Sequence, residues 1–519
     1  MDIKLKTRLG TVLGQAEEGV QIFKGIPYAR PPVNNLRFAA PEPAEPWQGV
    51  LDATEFGPAA PQDKGMLMGL KEISDDCLYL NIWSPTGNAS ASAEKRPVMV
   101  WIHGGGYFIG SGSQELYKGQ HLAVHGDVVV VNINYRLGVV GYGFLSSVLG
   151  HEETFSVNNG LLDQVTALQW VQDNIADYGG DPDNVTIFGE SAGGMSVGAL
   201  LGTPKAKGLF HKAIVQSGSA DHVTSPASAQ PIAQKFLDNM EVSGPKDFYK
   251  LFECSIPELL VGQKACLQLS IDRGIRDNRM PMTGMTMVPV VDGTIIPLRP
   301  IDAIREGCVK EIPLMAGSNR DEFNLFLHTP LFGNEGNADK YRTMTDADLL
   351  AKFKDSLPQD AERALALYYK ANPDDDMSRI NAVSAMETDR MFGASTIQLL
   401  EAQSQHQKHT YGYELTWQAP GFDGLLGACH VVEVPLMFGL LDGMIGNLFV
   451  GNTPEAQALS KNMMSAWAGF ARSGTPSAGF EQWGGFTANQ PQVMELGARC
   501  GLMDSSSSDK KAFWDSVLT

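Results

Sequence analysis

The sequence predicts an α/β fold, in which helices flank a large and mostly parallel sheet. Two nearly continuous apolar runs, residues 97–102 and 128–135, are typical of strands that are buried on both faces. Apolar residues recur with a helical period over residues 161–178, and a third apolar run follows at 185–188. Because strands that alternate with helices in this order pair side by side, the sheet is expected to be parallel.

The chain before the first of these runs predicts shorter elements. Residues 3–24 have the pattern of short strands that are separated by glycines, and residues 75–83 predict a strand after an acidic turn. The proline-rich stretch between them, residues 25–46, is expected to run as an extended cover.

A tight turn is predicted after the third apolar run. It is a Gly-x-Ser-x-Gly motif with Ser191 at its centre, and a helical apolar pattern resumes at residues 195–201. Such a turn strains the backbone of its serine, and small neighbours such as Gly189 and Gly193 permit this. The helix that follows points free N–H groups at the serine hydroxyl. Ser191 is therefore the predicted nucleophile, and Ala192 N–H is the first candidate donor to a developing oxyanion.

Three further glycines follow the run at residues 97–102. They are Gly104, Gly105 and Gly106, which come directly after a histidine. At the end of a central strand, such glycines let backbone N–H groups turn toward a ligand with no side chain in the way. In hydrolases, the loop at this position supplies the remaining oxyanion donors. We expect these to be Gly105 and Gly106, beside Ala192.

A serine hydroxyl needs an imidazole to take its proton, and the imidazole needs a carboxylate to orient it. In this setting the expected chain order is serine, acid, histidine, with both partners beyond the ends of late strands. Asp321 and Glu322 follow a predicted strand at 312–317, and the pattern does not decide between them. His430 follows the last predicted strand, residues 411–417, and is the predicted base.

Composition limits the partners of the protein. Hydrophobic residues make up 43% of the 519 residues, which is ample for a core, and the formal charge of −19 argues against nucleic acids and anionic membranes as partners. Residues 1–14 lack the pattern of a signal peptide, and the longest apolar tract is interrupted by polar residues. We therefore expect a cytoplasmic protein with no membrane contact, as a monomer or weak homo-oligomer. The cysteine pattern predicts no metal site, and the predicted serine mechanism needs no cofactor.

Two segments, residues 226–286 and 335–405, do not alternate strictly with strands and carry mixed helical patterns. They are predicted as cap-like insertions that shape a substrate gorge on a single domain of residues 1–519. Several methionines could line an adaptable apolar pocket wall or fill the core. These are Met66, Met68, Met280, Met282, Met285 and Met287.

Seven motifs of the chain carry a resemblance to a known family. They lie at residues 23–29, 76–83, 101–106, 134–138, 160–164, 188–194 and 427–438. Together they resemble the type-B carboxylesterase and cholinesterase family of α/β-hydrolases, which includes the bacterial p-nitrobenzyl esterases. The resemblance spans most of the chain, from Thr11 to Trp514. It implies an α/β-hydrolase fold, with a twisted central sheet, and a serine carboxylesterase.

The resemblance also implies roles for individual residues. It implies Glu322 as the acid, with Phe323 in place of the family's glycine. Ser217 matches a serine that supports the triad of Ser191, Glu322 and His430 by hydrogen bonding, although a strand-end cap explains the same residue. The family's structural ion pairs imply that Arg136 pairs with Asp163 and that Arg37 pairs with Asp75.

The sequence departs from the cholinesterases before Cys77. The segment 60–76 is short and has neither the tryptophan nor the upstream cysteine of the cholinesterase loop. Cys77 is therefore expected to be unpaired, and choline esters are not the expected substrates. Cys254 and Cys266 match the spacing of a second family disulfide, and the sequence leaves their pairing open.

The expected reaction is the hydrolysis of small to medium apolar or aryl esters through a covalent acyl-enzyme. A lipase, amidase or carbamate hydrolase of the same fold stays open as an alternative, as does a catalytically silent binding protein. Because a silent relative would have lost its nucleophile, the presence of Ser191 disfavours that last class. Activity is expected to rise with pH near a histidine-like pKa of about 6.5 to 7.

Overall fold

A computed structural model describes residues 1–63, 69–86, 95–272, 285–329, 343–370, 377–476, 479–480, 483–505 and 508–518 of the chain. Within these residues, thirteen strands form one sheet. The strands are β1 Asp2–Lys6, β2 Thr11–Glu17, β3 Val20–Pro27, β4 Val50–Asp52, β5 Tyr79–Pro85, β6 Arg96–Ile102, β7 Val129–Ile133, β8 Gly180–Glu190, β9 Lys212–Gln216, β10 Leu314–Asn319, β11 Thr410–Leu415, β12 Gln492–Leu496 and β13 Gly501–Asp504.

The spatial order of the strands is β1-β2-β3-β5-β7-β6-β8-β9-β10-β11-β12-β13, with β4 beside β2. From β7 to β12 every neighbouring pair is parallel, which confirms the predicted parallel sheet in the central block. On both flanks the neighbouring strands of this order are antiparallel, whereas the short strand β4 pairs with β2 in parallel. At the outermost pairs the connections are short hairpins, and a parallel pair requires a longer crossover.

The helices lie between and around these strands. They are α1 Gln120–Gly126, α2 Gly138–Tyr142, α3 Ser146–Leu149, α4 Asn159–Asn174, α5 Ala192–Leu201, α6 Pro226–Asn239, α7 Lys250–Glu253, α8 Ile256–Asp272, α9 Pro300–Arg305, α10 Asn324–His328, α11 Asp346–Ser356, α12 Ala361–Tyr368, α13 Ser378–Thr388, α14 Ala394–Ser404, α15 Glu433–Phe438, α16 Gly443–Phe449, α17 Pro454–Ser473 and α18 Ser508–Leu518. A single π-helical turn, Asp389–Gly393, joins α13 to α14.

The predicted central strands are the most deeply buried part of the sheet. Side chains from Val98 to Ile102 in β6 are fully buried, and so are the apolar residues of β7. Because helices cover both faces of the parallel block, alternation between polar and apolar residues is lost there. This explains why the apolar runs at 97–102 and 128–135 are continuous.

Two details differ from the sequence prediction. The apolar run at residues 185–188 marks only the later part of a longer strand, because β8 begins at Gly180. Strands β12 and β13 follow β11, so the strand before His430 is not the last one. Both strands are short, and β13 at the edge of the sheet is mostly exposed, so the two strands give a weak apolar signal.

The two segments predicted as insertions contain helices. Helices α6, α7 and α8 lie within residues 226–286, and α11 to α14 lie within 335–405. Part of each segment lies outside the described residues, as do Met66, Met68, Met280 and Met282. The division of the chain into one domain with cap-like insertions stays a prediction. Every helix in the described ranges is too short or too polar to cross a bilayer.

Two buried ion pairs fasten the proline-rich segment to the sheet. Arg136, which follows β7, lies 2.7 Å from Asp163 of α4, and its guanidinium also donates to the carbonyl of Ala39 at 2.6 Å. Arg37 lies 2.6 Å from Asp75. Both pairs were expected from the family resemblance, and the structure confirms them.

We expect the variant Arg136→Met to be destabilised by about 3–5 kcal/mol, because the buried carboxylate of Asp163 would be left without its counter-charge. The matched control is Arg363→Met, because the pair of Arg363 with Asp360 is largely exposed. Denaturant midpoints of both variants would measure the difference. Equal midpoints would contradict the structural role of the Arg136 pair.

Candidate active site

Ser191 lies at a strained turn between β8 and α5. Its backbone has φ 57° and ψ −128°, which is an uncommon conformation for a residue with a side chain. A Cβ at Gly189 would lie 2.6 Å from the carbonyl oxygen of Ile102, and a Cβ at Gly193 would overlap the same oxygen. The predicted need for glycine on both sides of the serine is therefore confirmed.

The glycine loop after β6 passes directly beside this turn. A Cβ at Gly104 would lie 3.0 Å from Cβ of Ser191. Gly105, Gly106 and Tyr107 have φ of 111°, 64° and 65°, so the backbone turns in the left-handed region for three consecutive residues. In the described part of the chain, no hydrogen bond uses the N–H groups of Gly105, Gly106 or Ala192. These groups are available to an incoming oxyanion.

The structure brings His430 and Glu322 together. Nδ1 of His430 lies 2.6 Å from Oε2 of Glu322, and both side chains are buried. Glu322 follows β10, and His430 lies in the turn before α15. The next residue, Val431, has φ 80°, which is a strained conformation for a β-branched residue. The tertiary structure therefore holds the imidazole on a turn that the local sequence does not favour.

The carboxylate of Asp321 has other partners. It accepts from the backbone N–H of Ala428 at 2.9 Å and from the guanidinium of Arg320 at 3.0 Å. Asp321 thus fastens the loop before His430, while Glu322 contacts the imidazole. The contact with His430 distinguishes Glu322 from Asp321, which the sequence pattern left as alternatives.

Ser217 lies on the far side of Glu322. Its hydroxyl donates to Oε1 of Glu322 at 2.6 Å, and the backbone N–H of Asn319 donates to the same oxygen at 2.7 Å. The carboxylate of Glu322 is thus hydrogen-bonded through both oxygens. Such bonds fix its orientation toward His430.

The other nitrogen of His430 faces a residue that the sequence analysis did not single out. Nε2 lies 3.0 Å from Oε1 of Glu190, and within the described residues no hydrogen bond joins it to the hydroxyl of Ser191. Glu190 occupies the variable position directly before the serine in Gly-x-Ser-x-Gly. A carboxylate adjacent to a predicted nucleophile was the signal in the sequence that could have identified it.

Three buried carboxylates surround the imidazole, and they change its protonation. They belong to Glu190, Glu322 and Glu433, and each side chain is at most 2% exposed. Burial lowers the pKa of His430, but the negative charges of Glu190 and Glu322 outweigh it and raise the pKa above the usual range. Burial raises the pKa of Glu190 and of Glu433. The pH midpoint of activity is therefore expected above the range that the sequence analysis predicted.

Two aromatic rings pack against the imidazole. The ring centroid of Phe392, in the π-helical turn, lies 4.8 Å from that of His430, and the centroid of Phe326 lies 5.4 Å away.

Of the predicted pocket methionines, Met285 and Met287 are buried in the core. The thiols of Cys77, Cys254 and Cys266 are unbridged, which confirms the expectation for Cys77.

A serine at a strand–helix turn, beside a glycine loop and a buried histidine–glutamate pair at the end of a parallel sheet, defines a serine hydrolase with the α/β-hydrolase fold. The model of the carboxylesterase family matches residues 2–514. The chain belongs to this family, and it is a serine carboxylesterase that hydrolyses carboxylic esters.

Individual relatives agree with this assignment. The para-nitrobenzyl esterase of Bacillus subtilis (strain 168) is 39% identical over 510 residues, which cover 97% of each chain. Carboxylesterase 1C of Rattus norvegicus is 34% identical, over 99% of this chain and 93% of the relative. A crystal structure of a Geobacillus stearothermophilus carboxylesterase is 36% identical and has a TM-score of 0.84, covering 98% of this chain and 99% of that chain.

We expect the variant Glu190→Gln to lower the pKa of His430, because it removes a negative charge that stabilises the imidazolium. Since a base must be neutral to accept a proton, the acid limb of kcat/KM should move to lower pH by about one unit. Rates on a p-nitrophenyl ester from pH 5 to 10 would measure the shift.

The matched control for this experiment is Glu414→Gln. The carboxylate of Glu414 is also largely buried, but its charged neighbours are Asp389, Arg320, Lys510 and Asp321, and His430 is not among them. The pH profile of this control should match that of the wild type. If the pH midpoint of Glu190→Gln stays in place or moves upward, Glu190 does not stabilise the protonated imidazole of His430.

Proposed function

We propose that Ser191 is the nucleophile of ester hydrolysis, with His430 as the general base and Glu322 as the acid that orients it. The observation that carries this proposal is the 2.6 Å contact between Nδ1 of His430 and Oε2 of Glu322, beside the strained turn of Ser191. Because Nδ1 is committed to the carboxylate as a donor, a neutral His430 has its lone pair on Nε2. That lone pair is the one that accepts the serine proton.

In the first half of the reaction, the hydroxyl oxygen of Ser191 attacks the ester carbonyl carbon. His430 takes the hydroxyl proton and then donates it to the leaving alcohol, so that a covalent acyl-enzyme remains. In the second half, a water molecule gives its proton to His430 and attacks the acyl carbon. His430 returns the proton to Ser191, and the carboxylic acid product leaves.

The N–H groups of Gly105, Gly106 and Ala192 are the proposed donors to the oxyanion in both halves. Support comes from the contact of the adjoining Gly104 with the turn of Ser191 and from the absence of other acceptors for these N–H groups in the described residues. Loss of one such donor typically costs about 3 kcal/mol in barrier. Ser217 is proposed to support the triad through its hydrogen bond to Glu322.

The contact between Nε2 of His430 and Glu190 has a consequence for the first step. While the imidazole is protonated, this ion pair occupies Nε2, which therefore cannot accept the proton of Ser191. The proton must leave, and Nε2 must exchange the carboxylate for the adjacent hydroxyl of Ser191, before the serine can attack. Hydrogen bonds of this kind often form only once the substrate is bound.

The proposed substrates are esters with small to medium apolar or aryl groups. Support comes from the para-nitrobenzyl esterase relative and from the aromatic rings of Phe326 and Phe392 beside His430.

The mechanism requires no cofactor. The cytoplasmic location, the monomeric or weakly associated state and the absence of nucleic-acid binding stay predictions from the sequence.

We expect hydrolysis of p-nitrophenyl esters to be fastest with short acyl chains and to fall toward the dodecanoyl ester. The variant Ser191→Ala should lose activity by about 10⁴-fold or more, because no acyl-enzyme can form. Mass spectrometry of quenched wild-type enzyme should detect an acyl group on Ser191 and none in the variant.

Ser196→Ala is a control for the serine substitution, because Ser196 is a buried residue of the same helix, α5, and its hydroxyl contacts Gln164. It should keep its activity. A preference for long chains would point to a lipase. Activity that survives in Ser191→Ala would remove the nucleophile assignment.

A further inference from the structure

Asn319, the last residue of β10, contacts both of the chain segments that carry the histidine–glutamate pair. Its backbone N–H donates to Oε1 of Glu322 at 2.7 Å. Its side-chain amide donates to the carbonyl oxygen of Cys429 at 2.8 Å, immediately before His430. Asn319 is 1% exposed, so water does not compete for these bonds.

The same amide nitrogen donates to a third group, the carboxylate of Glu433. The distance from Nδ2 of Asn319 to Oε2 of Glu433 is 2.6 Å. The other oxygen, Oε1, has no hydrogen-bond partner among the described residues, and Glu433 is fully buried. Because a buried carboxylate needs donors to stay charged, this bond favours the ionised form of Glu433.

We propose that Asn319 is a positioning residue of the hydrolytic reaction: it ties the turn of His430 to the strand end of Glu322 and favours the charged form of the Glu433 carboxylate beside them. The inference rests on the proposed roles of His430 and Glu322. Asn319 contacts none of the reacting atoms, and it acts through the imidazole and the two carboxylates.

The charge on Glu433 acts on His430 through space. Several titratable or polar groups face Glu433: Glu322 and Asn319 at the end of β10, Glu190 at the end of β8, Tyr413 of β11, Tyr117 before α1, and Cys429 and His430 in the turn before α15. Burial and the charge of Glu322 raise the pKa of Glu433, whereas the hydrogen bond from Asn319 lowers it. Without that bond Glu433 would take up a proton more readily, and His430 would lose a negative neighbour that raises its pKa.

The experiment compares pH profiles of kcat/KM for the wild type and Asn319→Ala on a p-nitrophenyl ester. The midpoint of the acid limb should move to lower pH by about half to one unit, because the pKa of His430 falls. The plateau should fall by about tenfold, because the imidazole is held less firmly. Asn319→Leu retains the side-chain volume and gives the same test if the alanine variant does not fold.

Asn324→Ala is the matched control. The side-chain amide of Asn324 also anchors the loop before His430, by donating to the carbonyl oxygen of Leu426 at 3.2 Å, but no hydrogen bond joins it to Glu322 or Glu433 in the described residues. A purely structural loosening would lower the plateau in both variants without moving the midpoint. The proposal requires the midpoint shift in the Asn319 variant and its absence in the control.

A double-mutant cycle with Glu433→Gln isolates the electrostatic part of the proposal. In the Glu433→Gln background, Asn319→Ala should produce no further midpoint shift. Additive shifts, an unmoved midpoint in Asn319→Ala or an equal shift in Asn324→Ala would each overturn the proposal. The proposed function is tested separately by His430→Gln, which should abolish the activity whether or not Asn319 contributes.

Discussion

The close approach of α5 to the end of β6 is the contact on which the site depends. At this point the backbone of Gly193 lies against the carbonyl oxygen of Ile102, with no room for a side chain between them. The same approach brings the turn of Ser191 beside the loop that begins at Gly104. The proposed nucleophile and two of the proposed oxyanion donors come from segments far apart in sequence, so this backbone contact sets their relative position.

Once the serine is placed, the electrostatics of the site follow from burial. An imidazole that is buried among three carboxylates holds a proton strongly, because burial limits the screening of their charges by solvent. The proposed base thereby gains a strong affinity for the serine proton. In return, the carboxylate of Glu190 lies against Nε2 of His430, and the proposed base must be released from this contact before it can act.

Much of this arrangement was predictable from the sequence. The buried strands β6 and β7 have continuous apolar runs, and the Ser191 turn and the glycine loop are local motifs with a mechanical reason for each glycine. Other features depend on contacts between distant segments. The choice between Asp321 and Glu322 is made by the turn at His430, and the contact of Glu190 with Nε2 arises from tertiary packing. Strands β12 and β13 were not predicted because each has only four or five residues, and most residues of the edge strand β13 are exposed.

The antiparallel flanks of the sheet have a consequence for the behaviour of the protein at high concentration. An open sheet has two edges whose unpaired backbone groups can recruit a strand from another molecule. Here the outer strand β1 alternates half-buried apolar residues with exposed Asp2, Lys4 and Lys6, and the opposite edge strand, β13, is short and ends at an aspartate. Charges and short length at both ends discourage strand addition. The long apolar strands of the parallel block lie in the interior of the sheet, where they offer no unpaired backbone groups to a strand of another molecule.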